Sequence, residues 1–235
     1  VVPVPCDVSV YQKEYSKFEI KEIDDCFKFY YIGELSARKN ISFLLRAFHS
    51  EFRPEENVSI ILKCTAGGLD PNEIKNSLSE ISKKVKEGLK IYPSTSNYID
   101  EVFVTQYLRD EDIIKMHSSF DCFVSASLGE AWGVPIFDAM SMGKTPICTS
   151  TAGPKMFLGD GGYLVKSNKD FCFGVSDTFQ SIYTGTEKWD RPDMHSFRSA
   201  MRKCFEDKED RQKKAAAGIE NSYKYSFRAV GKIMK

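Results

Sequence analysis

The sequence predicts an α/β fold, a doubly wound and mainly parallel sheet. Strand-like and helix-like segments alternate six or seven times along the 235 residues, and no internal repeat or low-complexity linker interrupts them. Alternating strands and helices in series form a parallel sheet that is covered on both faces. We therefore expect one domain over residues 1–235, with ligands bound at the carboxyl ends of the strands.

The predicted strands are short apolar runs, rich in β-branched and aromatic residues. In chain order they are 27–32, 58–63, 89–92, 102–104, 121–125, 145–149 and 162–165. The first run ends at Gly33, a natural end for a strand. No apolar run approaches the roughly 20 residues that a transmembrane helix needs, so no membrane span is expected.

The predicted helices show either apolar residues at helical spacing or polar residues with capping signals. In chain order they are 41–52, 70–86, 110–118, 135–142, 170–183, 195–206 and 210–225. The first has the clearest apolar stripe, at positions 41, 44, 45 and 48. We expect Gly88 to stop the second helix and Asp110 to cap the third.

Charge and cysteine content argue against several classes of function. Lys and Arg number 33, as do Asp and Glu, so a net charge of zero gives no bulk attraction to nucleic acid or anionic membranes. The seven cysteines show no zinc-ligand spacing and are expected to be reduced and mostly buried. The three histidines have no partner at metal-ligand spacing, so no metal is expected.

Two cations follow the first predicted strand. Gly33 ends that strand, and Arg38 and Lys39 come just before the helix at 41–52. A glycine at a strand end allows a ligand to approach the backbone, and cations beside a helix start favour phosphate. Taken alone, the loop also fits a solvated basic turn that is capped by Asn40.

The most specific pattern follows the predicted strand at 121–125. Glu130 comes after small residues, Gly133 frees the backbone, and Asp138 lies about one turn into the next helix. The two carboxylates could each hold a diol, with a pyrophosphate on the amides of residues 131–134 between them. The alternative is a capping acid at Glu130, a packed Trp132 and a solvated Asp138.

A third loop, Gln106-Tyr107-Leu108, follows the predicted strand at 102–104. Its amides and side chains could bracket a flat base, although nothing in it is distinctive by itself.

In this order, the three loops resemble the C-terminal, donor-binding domain of retaining GT-B glycosyltransferases of family four (GT4, glycosyl transferases group 1). The resemblance covers nearly the whole chain, from Val2-Pro3 to Tyr225-Ser226-Phe227-Arg228. It implies a Rossmann-like domain that forms the C-terminal half of a GT-B fold. It also implies that 210–235 is a terminal helix packing toward an N-terminal acceptor-binding domain, which the chain lacks.

Glu130 and Asp138 keep the spacing of that family's two acids, with seven residues between them. The resemblance implies that Glu130 holds hydroxyls of the donor sugar, Asp138 holds the ribose, and Lys39 neutralises the leaving diphosphate. Glu130 and Lys39 are therefore the implied catalytic residues. The implied substrate-binding residues are Gly33, Arg38, Lys39, Gln106, Tyr107, Leu108, Glu130, Ala131, Trp132, Gly133, Val134 and Asp138.

Two positions depart from the family pattern. Glu34 stands where many members carry Arg, which places a carboxylate near the expected diphosphate unless the side chain turns away. Asp138 stands where the second acid is usually Glu, so ribose contact would need a closer backbone or a bridging water.

The resemblance implies the donor-binding half of a retaining transferase that moves a hexose from a UDP-, GDP- or ADP-linked donor to a sugar or glycan. No cofactor or metal is implied. We expect a cytoplasmic protein of carbohydrate biosynthesis, or one peripheral to a membrane through the absent domain, and no transfer by this domain alone. Glu34 and Asp138 favour the alternative of a catalytically impaired binding or scaffold module. A GT-B epimerase and a dehydrogenase are further options, and the lack of a glycine fingerprint opposes the dehydrogenase.

Overall fold

The computed structural model describes residues 2–20, 23, 25–172 and 185–234. Six strands form one sheet in the order β3-β2-β1-β4-β5-β6, and every neighbouring pair is parallel. They are β1 Phe27–Glu34, β2 Val58–Thr65, β3 Glu101–Val104, β4 Cys122–Ser125, β5 Ile147–Thr149 and β6 Tyr163–Val165. The predicted doubly wound parallel sheet is confirmed. The strand order reverses between β1 and β4, which is where such sheets bind ligands.

Helices cover the sheet, and a small antiparallel pair lies beside it. The helices are α1 Ile41–Glu51, α2 Pro71–Leu89, α3 Asp110–Ser119, α4 Val134–Ser141, α5 Ala152–Phe157, α6 Met194–Glu206, α7 Lys208–Ser222 and α8 Phe227–Ile233. The pair is β7 Ser167–Phe171 and β8 Lys188–Pro192. Neither α5 nor this pair was predicted from the sequence.

The core has two layers because side chains of the central strands alternate between the two faces of the sheet. Phe29 and Tyr31 of β1 belong to the layer formed with α1, α2 and α6. Tyr30 and Ile32 belong to the other layer, with α3 and α4. Both faces of β1 are thus buried, as expected for a central parallel strand.

The sequence prediction at 86–92 is wrong in two ways. Helix α2 continues through Gly88 to Leu89, and it ends because Lys90 adopts a left-handed conformation, with φ of 53°. The N–H of Lys90 still bonds to the carbonyl of Lys86, which closes the last turn. Residues 89–92 therefore form a helix end and a bend instead of a strand.

Three helix predictions also need correction. Arg109 precedes the first turn of α3, and Asp110 lies inside that turn, where its charge favours the helix dipole. Residues 170 and 171 belong to β7, and residues 173–183 of the predicted helix at 170–183 lie outside the described residues. The expected terminal helix over 210–235 is two helices, α7 and α8, because extended Ser226 pairs with Cys6 between them.

The start of the described chain lies along its end. Cys6 donates a backbone hydrogen bond of 2.8 Å to Tyr225, and Phe227 returns one of 3.2 Å to Cys6. The segment then reaches α3, where the N–H of Phe18 bonds to the hydroxyl of Ser119 at 2.8 Å. All seven cysteines are free thiols, and five of them are buried. Among the described helices, none is long and apolar enough to cross a membrane.

Candidate functional site

The loop after β1 is held against the loop after β4. It contains a short 3₁₀ turn, Ala37–Lys39, and ends at Asn40 with a left-handed φ of 55°. The N–H of Leu128 bonds to the carbonyl of Arg38 at 2.8 Å, and the side-chain amide of Asn40 bonds to Ala126 at 3.3 Å. Because β1 and β4 are neighbours, these bonds fix both loops at the point where the strand order reverses.

Two cations converge on one carboxylate between these loops. Nζ of Lys39 lies 2.6 Å from Oε1 of Glu130, and Nη1 of Arg38 lies 3.4 Å from Oε2. Nη1 of Arg38 also donates to the carbonyl of Gly129 at 2.5 Å. The Lys39 and Glu130 side chains are only 14% and 10% exposed, so water screens their charges weakly. Two cations and one anion leave one net positive charge for an anionic ligand.

Unpaired backbone amides lie next to this charge. Across the described residues, no protein group accepts a hydrogen bond from the N–H groups of 131–134. Residue 134 begins α4, and Gly133 before it has a left-handed φ of 87°. A helix start with free N–H groups attracts anions.

The loop carrying these amides is held in close packing by α5. The N–H of Gly153 bonds to the carbonyl of Glu130 at 3.1 Å. A β-carbon on Gly153 would lie 2.5 Å from the carbonyl oxygen of Trp132 and 2.6 Å from that of Ala131. Only glycine therefore fits at this contact.

The ring of Trp132 belongs to an aromatic cluster. Its centroid lies 5.6 Å from that of Phe137, 5.0 Å from that of Phe157 and 5.3 Å from that of Tyr225. The ring thus joins α4 and α5 to the 3₁₀ turn Tyr223–Tyr225. The backbone N–H of Trp132 has no acceptor among the described residues.

Asp138 contacts a residue that the sequence analysis missed. The hydroxyl of Tyr11 donates a hydrogen bond of 2.5 Å to Oδ1 of Asp138, and its ring packs edge-on against Phe137 at 6.4 Å. Burial raises the pKa of Asp138 to about 6, although the bond from Tyr11 acts in the opposite direction. Since 127 residues separate the two, no local sequence pattern could have indicated the contact.

Gly33 has a packing role. It lies inside β1, and a β-carbon there would be 2.3 Å from the hydroxyl of Tyr31. That hydroxyl donates to the carbonyl of Glu34 at 3.1 Å. The close ligand approach expected at Gly33 is therefore blocked on this face of the strand. Glu34 is exposed, and no ion pair to it occurs within the described part of the chain.

The third loop lies two strands away from the Arg38–Lys39 turn, since β2 separates β3 from β1. Gln106 and Tyr107 are exposed, Tyr107 at 85%, whereas Leu108 packs against the core layer of α3 and α4. The structure thus joins Arg38, Lys39 and Glu130 directly, and among the described residues no hydrogen bond or ion pair links 106–108 to them. No group of three or more His, Cys, Asp or Glu side chains among the described residues could hold a metal ion.

The sheet order, with a cationic turn and unpaired amides at its reversal point, is that of a doubly wound α/β domain. Residues 12–173 match the family described as glycosyl transferases group 1. The chain belongs to the glycosyl transferases group 1 family.

Similar proteins agree with this assignment. O-antigen chain mannosyltransferase B from Escherichia coli is 29% identical over 141 residues, which are 59% of this chain and 32% of that protein. The C-terminal domain of a glycosyl transferase group 1 protein, LpcC, from Francisella tularensis superposes with a TM-score of 0.64 at 19% identity. The superposition covers 94% of this chain and 99% of that domain.

HepE from Anabaena, solved in complex with UDP and glucose, gives a TM-score of 0.64 at 16% identity. This superposition covers 98% of the present chain and 54% of HepE. The fold is thus that of GT-B C-terminal domains. The chain spans about a third of the mannosyltransferase and about half of HepE.

Proposed function

We propose that this chain is the donor-binding half of a retaining glycosyltransferase, which moves a hexose from a nucleotide-diphosphate sugar to a sugar or glycan acceptor. The observation that carries the proposal is the convergence of Arg38 and Lys39 on Glu130, beside the unpaired amides of 131–134. Support also comes from the family membership and from HepE, whose structure contains UDP and glucose.

In this proposal the diphosphate lies between the cationic turn and the start of α4. Lys39 and Arg38 would neutralise the charge that develops on the leaving diphosphate, and preorganised charges of this kind supply much of the rate enhancement in many enzymes. The 131–134 amides would bind phosphate oxygens without reorganising, because they already lack protein acceptors.

Glu130 would have two roles. Without ligand it holds both cations in place, since it contacts Lys39 at 2.6 Å and Arg38 at 3.4 Å. With a nucleotide sugar bound, one carboxylate oxygen would accept hydrogen bonds from sugar hydroxyls. Transfer itself would require an acceptor-binding domain, so we expect this chain alone to bind a donor without transferring the sugar.

Isothermal titration of the folded chain against UDP, GDP and ADP tests the donor site. We expect saturable heat with at least one of them. No heat with any of the three, from protein whose fold is verified by circular dichroism, overturns the proposal.

A second candidate, a catalytically impaired binding or scaffold module, is favoured by the contact between Tyr11 and Asp138. The carboxylate proposed to hold ribose is already engaged by a hydroxyl at 2.5 Å. The variant Glu130→Ala, in a protein that joins this chain to an acceptor domain, separates the candidates. An active transferase should lose activity by orders of magnitude, whereas a scaffold should lose no assembly function.

A further inference from the structure

Lys63 is a buried cation without a counter-charge. Its side chain is 3% exposed, and none of the described carboxylates forms an ion pair with it. Its one hydrogen bond is 3.5 Å long, from Nζ to the carbonyl of Cys64, which is the outer limit for such a bond. Burial lowers the pKa of this amine, as expected when nothing compensates the lost hydration.

The other buried lysine of the described chain shows what Lys63 lacks. Lys86, 7% exposed, pairs with Oε2 of Glu101 at 2.8 Å. Buried amines normally have such a partner because desolvating an unpaired polar group is costly. A buried lysine whose amine makes only one long hydrogen bond is therefore a candidate for binding something outside the chain.

Lys63 lies between the two loops that the proposed donor would span. In the sheet register it is paired with Ile32 of β1 on one side and Val104 of β3 on the other. Strand β1 leads to the cationic turn at 37–39, and β3 leads to the loop at 105–108. Lys63 is also only two residues from the end of β2, at the carboxyl edge of the sheet.

The neighbours of Lys63 in the sheet are apolar. Ile32 and Val104 occupy the same cross-strand row, and both belong to the core layer on the α3 face, as does Leu108. Lys63 is thus a polar residue between two apolar neighbours in this cross-strand row.

We propose that Lys63 is a specificity-determining residue, whose amine donates a hydrogen bond to a ring carbonyl of the donor's base. The inference rests on the proposed donor site. An amine donor matches the keto oxygen O4 of uracil or O6 of guanine, whereas cytosine and adenine carry an amino group, itself a donor, at the same position. The donor would therefore be a UDP or GDP sugar and not an ADP sugar.

The test compares nucleotides that differ at that one position. By isothermal titration, the chain should bind UDP more tightly than CDP, or GDP more tightly than ADP, by about 10- to 100-fold, the range for a hydrogen bond to a charged group. Lys63→Met keeps the length and apolar character of the side chain and removes the donor. It should reduce that ratio to about 3-fold or less, while Lys84→Met, on the exposed face of α2, should leave it unchanged.

The outcomes separate this inference from the donor site itself. Equal affinity of the wild-type chain for keto and amino bases overturns the role of Lys63 and leaves the donor site standing. An equal loss of affinity for all nucleotides in Lys63→Met also overturns the role of Lys63 and leaves the donor site standing, because a merely structural residue would have that effect. Absence of binding by any nucleotide to the folded wild-type chain overturns both proposals.

Discussion

The hydroxyl of Tyr11 donates a hydrogen bond of 2.5 Å to Asp138, across 127 residues of sequence. The bond uses Oδ1 of the carboxylate, and Oδ2 has no protein partner among the described residues. Tyr11 therefore orients Asp138 and occupies one of its two carboxylate oxygens.

Asp138→Asn should stabilise the fold at neutral pH. The pKa of Asp138 is raised to about 6 by burial, from an ordinary value of 3.8. The folded state thus binds this proton more tightly than the unfolded chain, and stability is lost as the pH rises through 6. The substitution should add about 2 kcal/mol at pH 7.5 and almost nothing at pH 3.5, since two pKa units correspond to nearly 3 kcal/mol.

Urea unfolding of both proteins at the two pH values measures this difference, with Asp160→Asn at an exposed turn as control. Equal effects of Asp138→Asn at both pH values would show that ionisation of Asp138 carries no cost.

Glu101 should stabilise the fold in the opposite pH range. Although burial alone would raise its pKa, bonds from His49 at 2.5 Å, Lys86 at 2.8 Å and Ser82 at 2.7 Å lower it to about 2. Its contribution is present above pH 4.5 and is lost as the pH falls toward 2. Glu101→Gln, which leaves Lys86 buried and unpaired, should cost about 3 kcal/mol at pH 7 and much less at pH 3.

Thermal or urea unfolding as a function of pH checks this prediction. The matched control, Glu80→Gln, removes an exposed pair with Lys84 and should leave the pH profile unchanged. A profile of Glu101→Gln that runs parallel to the wild-type profile down to pH 3 would refute the assignment.

Gly33→Ala should destabilise the protein by about 2 kcal/mol, the range for overpacking a core. The added methyl group would meet the hydroxyl of Tyr31 at 2.3 Å, and Tyr31 is only 1% exposed and cannot easily move. The double variant with Tyr31→Phe should recover part of the loss. Gly88→Ala is the control, because space is open there inside α2 and alanine should gain about 0.5–1 kcal/mol.

Differential scanning calorimetry of the wild-type protein, the two single variants and the double variant decides the role of Gly33. If Gly33→Ala keeps its stability but loses nucleotide binding, the glycine contacts the ligand and the packing role is wrong.

Trp132 should affect stability through its ring and binding only through its backbone. Trp132→Ala removes the ring that joins Phe137, Phe157 and Tyr225, and it should cost about 3 kcal/mol or more. Trp132→Phe keeps an aromatic ring and should bind nucleotide within a factor of about 3 of wild type. A stable Trp132→Phe protein with at least tenfold weaker binding would place the indole on the ligand.

The sequence predicted the elements whose local pattern is strong. Strands β1 and β2 were predicted because each is a short run rich in apolar residues, and helix α1 was predicted because its apolar residues recur at helical spacing. The pairing of β7 and β8 was missed because β7 is polar and four of its five residues are exposed, so no alternation marks it. The end of α2 was misplaced since the left-handed residue is Lys90, and lysine gives no stop signal.

The candidate site was predictable as a set of loops but not as a set of contacts. The rule that ligands bind at the carboxyl ends of parallel strands placed Glu130 and the cationic turn at one edge of the sheet, and the family resemblance joined them in one hypothesis. The engagement of Asp138 by Tyr11 and the filling of the space at Gly33 by Tyr31 depend on tertiary packing. The unpaired amine of Lys63 also becomes visible only when burial and partners are known.

The proposed role of the turn at Arg38 and Lys39 is to bind the diphosphate of a nucleotide. The most direct test is isothermal titration of the best-bound nucleoside diphosphate, and of its nucleoside, against wild type, Lys39→Met and the exposed control Lys84→Met. We expect the diphosphate to bind wild type and Lys84→Met equally, and Lys39→Met at least about tenfold more weakly, since a charge-assisted bond is lost. The weak binding of the nucleoside should be unaffected. Equal binding of the diphosphate to Lys39→Met and wild type would contradict the account.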